Sequence, residues 1–123
     1  VKAGVTDANV LKAVSNAKNI STAKGIESTV PRDLWEQSLW KQVIINPGKG
    51  TKLEGMNNDP RFLESAGFQK MAVTHELPNG KNIEIHYQYN KYTDKAYDIK
   101  VKSPQALVLQ PGASINNGIS KGK

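Results

Sequence analysis

The sequence predicts an α+β fold, in which N-terminal helices pack on a four-stranded antiparallel sheet. In the first half of the chain, apolar residues recur at helical spacing. From Phe68 onwards the apolar period changes to two, as in strands with one buried face. Turn sequences rich in Pro, Gly, Asn and Asp divide this second half at short intervals, which favours a meander of hairpins.

Two helices are predicted before the sheet. The first covers residues 7–18, where apolar residues lie on one face. The second begins with Ser28 or Thr29 as its cap and has Pro31 in its first turn. Proline lacks an N–H, but N–H groups in the first turn have no acceptor within the helix, so no hydrogen bond is lost. Its predicted apolar face is broad and comprises Val30, Leu34, Trp35, Leu39, Trp40, Val43 and Ile44.

A lysine-bearing mobile loop, residues 46–59, is predicted to follow the second helix. Its Gly-Lys-Gly-Thr sequence lacks the contiguous Gly-Lys-Ser/Thr of a phosphate-binding loop. A short helix then begins with Asp59 as N-cap and Pro60 in the first position, and Gly67 ends it in the left-handed conformation. The residues of this helix predicted to face inward are Phe62, Leu63 and Ala66.

Strands are predicted over residues 69–77, 81–90, 95–102 and 106–110. The Gly-rich polar residues that follow predict a flexible tail over 111–123, so residues 1–110 form the single predicted domain. This length is sufficient for a modest core.

The first hairpin is predicted from its turn. Pro78 suits the second position of a type I turn, and Gly80 suits a left-handed residue followed by a bulge. Pairing Leu77 with Lys81 fixes the register, and His75 becomes a half-buried core histidine. The core face then carries Met71, Val73 and His75, opposite Tyr87, Ile85 and Ile83.

The second hairpin is predicted to have a three-residue loop of Tyr92, Thr93 and Asp94. This register keeps apolar residues together and places all three strand tyrosines, Tyr87, Tyr89 and Tyr97, in the core. The predicted pairs are Tyr89 with Tyr97, Gln88 with Asp98, Tyr87 with Ile99 and His86 with Lys100. His86 then lies at the centre of a solvent-exposed face, flanked by Thr74, Glu84, Gln88, Asp98 and Lys100.

This exposed face carries residues suited to RNA cleavage without a metal. The reaction needs a base for the 2′-hydroxyl proton, a cation for the phosphorane and an acid for the leaving 5′-oxygen. His86 is the candidate acid or base, because imidazole titrates near neutral pH, and Lys100 is the candidate cation. Thr74, Glu84 and Asp98 are candidate positioning residues. The competing interpretation is an ordinary polar sheet face with chance cross-strand pairs.

The net charge of +6 favours a polyanionic partner such as nucleic acid, an anionic membrane or an acidic protein. Of 17 basic residues only Arg32 and Arg61 are arginines, and lysine suits phosphate as a point charge. Tyr92, at a loop tip, is the candidate for stacking on a base. The lysines predicted to neutralise an RNA backbone are Lys70, Lys81, Lys91, Lys95 and Lys102.

The composition excludes several classes of site. The absence of cysteine excludes disulfides, thiolate catalysis and cysteine-based zinc sites, and it suits a reducing cytosol. With only two histidines, no metal or other cofactor is expected. No apolar run approaches the roughly 20 residues of a membrane helix. The start at Val1, without a signal-peptide apolar region, predicts a processed chain or a domain from a longer protein.

Residues 59–105, DPRFLESAGFQKMAVTHELPNGKNIEIHYQYNKYTDKAYDIKVKSPQ, resemble C-terminal toxin domains of filamentous-haemagglutinin-type proteins. Those proteins mediate contact-dependent growth inhibition. The resemblance extends over roughly residues 55–112 and rests on general texture. The order of elements, the basic charge and the lack of cysteine also resemble the barnase/EndoU/colicin/RelE group of small ribonucleases.

The resemblance implies a toxin that passes from the surface of a producing bacterium into the cytoplasm of a target bacterium. Such toxins cleave RNA, commonly tRNA, and a cognate immunity protein, often acidic, neutralises them. Some also use elongation factor Tu. Their catalytic residues vary, so none is carried over to this chain. The predicted function is therefore a metal-independent tRNA endonuclease that acts by 2′-hydroxyl transesterification.

Three other functions are also compatible with the sequence. A non-catalytic nucleic-acid-binding module explains the lysines equally well. A metal-dependent DNase toxin is consistent with Glu84, Asp98 and Lys100. A protein-interaction domain would use its basic face to meet an acidic partner.

Overall fold

The computed structural model describes residues 8–105 and confirms the α+β class. Two helices precede a four-stranded antiparallel sheet whose strands lie in chain order. Short 3-10 turns lie at Pro47–Lys49 and Glu64–Ala66. The elements are α1 (Ala8–Ala17), α2 (Leu34–Ile45), β1 (Thr51–Lys52), β2 (Phe68–Glu76), β3 (Asn82–Asn90) and β4 (Lys95–Val101).

The strands of this sheet are not the four that were predicted. The predicted strand at 106–110 and the tail lie outside the described residues. The first strand comes instead from the predicted loop, where Thr51–Lys52 pairs with β2. Gly50 allows this close approach, because a Cβ there would overlap the Tyr87 hydroxyl.

Each face of the sheet packs against a different helix. On one face, α2 contributes Leu39 and Val43 to a core whose strand residues are Met71, Leu77, Ile83, Ile85, Tyr87 and Val101. On the other face, α1 covers only one end of the sheet. That smaller core comprises Val10, Val14, Ala17, Phe62, Ala66, Phe68 and Tyr97.

Helix α2 begins later than the cap at residues 28 or 29 that was predicted. Asp33 is its N-cap, and its carboxylate accepts a hydrogen bond from the Glu36 N–H at 2.8 Å. Ser28 instead pairs with Val101 along the edge of β4. Pro31 therefore precedes the helix. Of the predicted apolar face, Val30, Leu34 and Ile44 are exposed.

The short helix predicted after Asp59 is reduced to one 3-10 turn, Glu64–Ala66. The Asp59 carboxylate accepts from the Arg61 N–H and pairs with its guanidinium, which forms a local turn instead of a helix cap. Phe62 is buried as predicted, but Leu63 is exposed. Gly67 has a φ of 97°, in agreement with the predicted left-handed ending.

Gly67→Ala is expected to destabilise the protein more than Gly55→Ala. Both glycines have positive φ, so either alanine would incur about 1–2 kcal/mol of backbone strain. A Cβ at Gly67 would also lie 2.6 Å from Tyr92 Cδ2, whereas one at Gly55 would meet nothing within 4 Å. Urea unfolding of both variants measures the difference, and equal losses would contradict the Tyr92 contact.

The first hairpin has the predicted register. Leu77 N–H donates to the Lys81 carbonyl at 2.7 Å, and Gly80 has a φ of 84°. His75 lies opposite Ile83 as expected. The prediction that His75 is half-buried is wrong, because its ring is exposed and stacks on Trp35 with centroids 5.8 Å apart.

The second hairpin differs from the prediction by one residue near its loop. Asn90 pairs with Lys95, which leaves four loop residues instead of three. The Asn90 side-chain oxygen holds this longer loop by accepting the N–H groups of Tyr92 and Thr93. The expected pairs of Tyr89 with Tyr97 and Gln88 with Asp98 are therefore wrong. Those observed are Tyr89 with Ala96 and Gln88 with Tyr97.

A β-bulge between the Gln88 and His86 pairs restores the register further along β4. Asp98 lies in this bulge with a φ of 48°. His86 consequently lies opposite Lys100, as predicted, although the predicted loop was one residue too short. Tyr97 is buried as expected, but it packs on the α1 side of the sheet and not with Tyr87.

Candidate functional site

His86 lies in the middle of β3, on the face opposite α2, but it is not solvent-exposed. Only 7% of its surface is accessible, and Gln88 is similarly buried. The predicted exposed face is wrong at this position, because chain segments from before β2 cross it. Asn57 accepts a hydrogen bond from the Gln88 amide at 3.0 Å, and Thr22 bonds to Asp98.

These segments leave a small cavity over the sheet, which we call the His86 pocket. Its volume is about 60 Å³, which exceeds the roughly 10–15 Å³ that one water molecule needs. A whole nucleotide does not fit inside it. The lining residues are Thr22, Met56, Asp59, Lys70, His86, Tyr87, Gln88, Asp98 and Lys100.

His86 forms a close pair with Glu84 on the same strand. His86 Nε2 lies 2.6 Å from Glu84 Oε2. With Glu84 ionised, Nε2 must carry the hydrogen, because a carboxylate only accepts. The Glu84 side chain is 47% exposed, so the pair connects a buried imidazole to solvent. The other ring nitrogen, Nδ1, is buried and has no hydrogen-bond partner among residues 8–105.

Lys100 is fixed beside this pair by Asp98 and Thr22. Its Nζ lies 3.2 Å from Asp98 Oδ2 and donates to Thr22 Oγ1 at 2.6 Å. Asp98 also accepts the Thr22 N–H at 2.7 Å. Thr22 was not predicted as a site residue, since it lies in a polar connector without periodicity. The cation predicted to stabilise a phosphorane is thus held in one position by two neighbours.

Lys70 enters the same pocket from β2, where it pairs with Gln88. Burial lowers the pKa of its ammonium, and the positive charges of Lys100 and Lys102 lower that pKa further. Asp98 and Glu27 oppose this shift. No carboxylate in the described part of the chain forms an ion pair with Lys70. The sequence predicted Lys70 only as a contact to the RNA backbone. In the structure it lines the same pocket as His86, the candidate acid or base.

A second, larger cavity of about 270 Å³ adjoins the His86 pocket, with which it shares Thr22, Asp59 and Lys100. We call it the adjoining cleft. The lining residues are Thr22, Ala23, Lys24, Glu27, Asp59, Arg61, Lys100 and Lys102. Sequence reasoning missed this cleft, because its walls come from irregular segments near residues 22–27 and 59–61.

The carboxylates of the adjoining cleft are both ion-paired. Lys102 Nζ lies 2.6 Å from Glu27 Oε2, and this hydrogen bond is the main cause of the lowered pKa of Glu27. Arg61 Nη2 lies 2.7 Å from Asp59 Oδ2, and that contact is the main cause of the lowered pKa of Asp59. Lys100 lowers the pKa of both carboxyls further, so the cleft walls have a positive local potential.

The remaining predicted residues do not form one surface. Thr74 is exposed on β2, opposite Glu84, and does not line the His86 pocket. Tyr92 lies in the second hairpin loop as expected, but its ring packs with the α1 core and lies close to Gly67. The other lysines lie at the two hairpin ends, Lys81 beside the first turn, and Lys91 and Lys95 beside the second loop.

No family model, curated protein or solved structure matches this chain. Within residues 8–105, no helix is both long and apolar enough to cross a membrane. The same residues contain no group of three or more His, Asp or Glu side chains arranged to hold a metal ion. The groups that the site brings together are an imidazole–carboxylate pair, two nearby ammonium groups and a basic cleft.

Proposed function

We propose that this chain is a metal-independent ribonuclease toxin domain that cleaves tRNA. The observation that supports this proposal most directly is the combination of groups around the His86 pocket. An imidazole paired with a carboxylate lies across the sheet from Lys100, with Lys70 in the same pocket. These are the groups that 2′-hydroxyl transesterification requires.

In the proposed reaction, the 2′-oxygen attacks the neighbouring phosphorus and the bond from phosphorus to the 5′-oxygen breaks. His86 Nε2–H, which faces the partly exposed Glu84, donates its proton to the leaving 5′-oxygen. The Glu84 carboxylate accepts the proton of the attacking 2′-hydroxyl and returns a proton to His86 Nε2, so that the pair ends with the protons it began with. Lys100 and Lys70 stabilise the negative charge of the phosphorane. The products are a 2′,3′-cyclic phosphate and a 5′-hydroxyl.

The biological part of the proposal rests on the resemblance of residues 59–105 to contact-dependent toxin domains. It comprises tRNA as the substrate, delivery from a producing bacterium into the cytoplasm of its target, and neutralisation by an acidic immunity protein. Elongation factor Tu is a further proposed partner. The positive charge of the adjoining cleft suits both an RNA substrate and an acidic inhibitor.

The test is incubation of the purified protein with total tRNA in excess EDTA, followed by a denaturing gel. We expect discrete fragments whose 5′-hydroxyl ends accept phosphate from polynucleotide kinase without prior phosphatase treatment. A DNA oligonucleotide of the same sequence as a cleaved tRNA should stay intact, since it lacks the 2′-hydroxyl. Cleavage that appears only after a divalent metal is added would overturn the mechanism.

A non-catalytic RNA- or DNA-binding module is the second candidate. The burial of His86 favours it, because the ring nitrogen Nδ1 is inaccessible and Nε2 is already bonded. This function predicts steeply salt-dependent binding with no strand scission. A metal-dependent DNase receives less support. The Asp98 carboxylate, a candidate metal ligand for that function, already forms an ion pair with Lys100 and accepts a hydrogen bond from Thr22. A domain that only binds an acidic protein would leave nucleic acids intact and bacterial growth normal.

A further inference from the structure

We propose that the adjoining cleft binds the phosphodiester backbone of the RNA strand next to the cleaved bond. This inference rests on the proposed function and adds residues that the sequence did not indicate. It assigns the phosphate contacts to Lys24 and Arg61, with Lys102 in the same cleft. The hairpin-end lysines Lys81 and Lys91 then have no part in backbone binding at the site.

The sizes of the two cavities support this assignment. The His86 pocket, at about 60 Å³, admits a reacting hydroxyl or phosphate oxygen but not the rest of a nucleotide. The strand must therefore continue outside it. The adjoining cleft is more than four times as large and shares three lining residues with the pocket. A strand that has one phosphate at Lys100 thus has a continuous path towards Lys24 and Arg61.

The charges of the cleft match a polyanion. Four cationic side chains line it, and three of them are in ion pairs: Arg61 with Asp59, Lys102 with Glu27 and Lys100 with Asp98. Lys24 forms no side-chain ion pair with any residue between 8 and 105. An incoming phosphate would therefore meet the unpaired ammonium of Lys24 and carboxylates whose charge is already neutralised. The pKa of Lys70 in the neighbouring pocket is lowered mainly by burial and further by the charges of Lys100 and Lys102.

Arg61 is held in a geometry that suits a phosphate. Its Nε and Nη2 both bond to Asp59, at 2.9 and 2.7 Å, which fixes the plane of the guanidinium. Nη1 has no partner among the described residues and is left to donate to a phosphate oxygen. Half of the side chain is exposed. Because the group is already oriented, less side-chain freedom is lost on binding.

The other arginine is unsuited to this role. Arg32 donates hydrogen bonds to the Glu36 side chain and to the carbonyls of Ile26 and Ser103. Its guanidinium is therefore used in holding the fold together. Arg61, whose side chain is half exposed and whose Nη1 is unbonded within residues 8–105, is the arginine that can meet a ligand.

The experiment measures binding separately from cleavage. The full chain carrying His86→Ala is titrated with a fluorescent 2′-O-methyl RNA stem-loop, which cannot undergo transesterification, at several salt concentrations. Lys24→Ala and Arg61→Ala are then added singly in this background. The matched control is Lys41→Ala, which removes the same charge from the exposed surface of α2, on the other side of the sheet.

We expect Lys24→Ala and Arg61→Ala each to weaken binding several-fold at low salt. Each should also reduce the slope of log affinity against log salt by about 0.7–0.9, the value for one lost phosphate contact. Lys41→Ala should leave both quantities nearly unchanged. Because Lys24 is exposed and forms no ion pair, its replacement tests the cleft without disturbing the fold.

Either of two results would contradict the proposal that the adjoining cleft binds the RNA backbone. In one, Lys24→Ala and Arg61→Ala behave like Lys41→Ala. In the other, only Lys52→Ala and Lys91→Ala, in the groove beside Tyr89, weaken binding. The proposed ribonuclease function is tested separately. A protein that binds RNA through Lys24 and Arg61 but never cleaves it would support the binding cleft and contradict the ribonuclease function.

Discussion

His86→Ala is expected to abolish RNA cleavage while leaving the protein folded. Removing a group that transfers protons in the transition state typically reduces the rate about 10²–10⁴-fold. His86 is the only imidazole in the described residues that lies in the pocket with Lys70 and Lys100. A loss of this size would suppress both tRNA fragments and growth arrest when the chain is expressed inside a bacterium.

His75→Ala is the matched control for this experiment. It removes the same side chain from an exposed position on the opposite face, where the ring only stacks on Trp35. The control protein should cleave RNA like the unchanged chain. Because His86 is buried, thermal unfolding of both variants should accompany the assay, and His86→Gln provides a second variant that retains a polar side chain.

The outcomes separate the function from the site. Fragments that vanish in His86→Ala and persist in His75→Ala would support a catalytic centre at the His86 pocket. Cleavage that continues in a folded His86→Ala protein would refute the assignment of this site but would still support the ribonuclease function. Intact RNA and normal growth with the unchanged chain would refute the toxin and favour the non-catalytic binding module.

Arg32→Ala is expected to cause the largest loss of stability. Glu36 lies in α2 with no solvent exposure, and its carboxylate accepts from Arg32 Nε at 3.0 Å and Nη2 at 2.7 Å. The alanine variant would leave this carboxylate buried without its cation. Breaking a buried pair in this way costs about 3–5 kcal/mol. Arg32 also donates to the carbonyls of Ile26 and Ser103, so three chain segments lose a common partner.

Urea unfolding measures this loss, and Arg61→Ala is the control. The pair of Arg61 with Asp59 has similar geometry but lies at the surface, where solvent screens such pairs and they contribute little to stability. The double substitution Arg32→Met with Glu36→Leu removes both charges together and should recover most of the stability, because no charge is left unpaired. Similar losses for the Arg32 and Arg61 variants would show that burial of the pair does not matter.

The predicted strand register depends largely on the residues of the two hairpin turns. Pro78 and Gly80 restrict the backbone to one turn type, and that turn fixes the β2–β3 register. The loop of the second hairpin has no such signal. Its four-residue length depends on the Asn90 side chain, and the bulge at Asp98 then offsets the one-residue error. His86 and Lys100 are paired as predicted because two unpredicted features compensate each other.

The sequence by itself determined the α+β class, the first hairpin register and the face of the sheet on which His86 lies. Those features follow from period and turn residues, which act between near neighbours along the chain. Only the tertiary structure decided that this face is covered, that Thr22 reaches Asp98 from 76 residues away, and that a basic cleft opens beside Lys100. Contacts of that kind join irregular segments that have no period of their own, and packing alone brings them together.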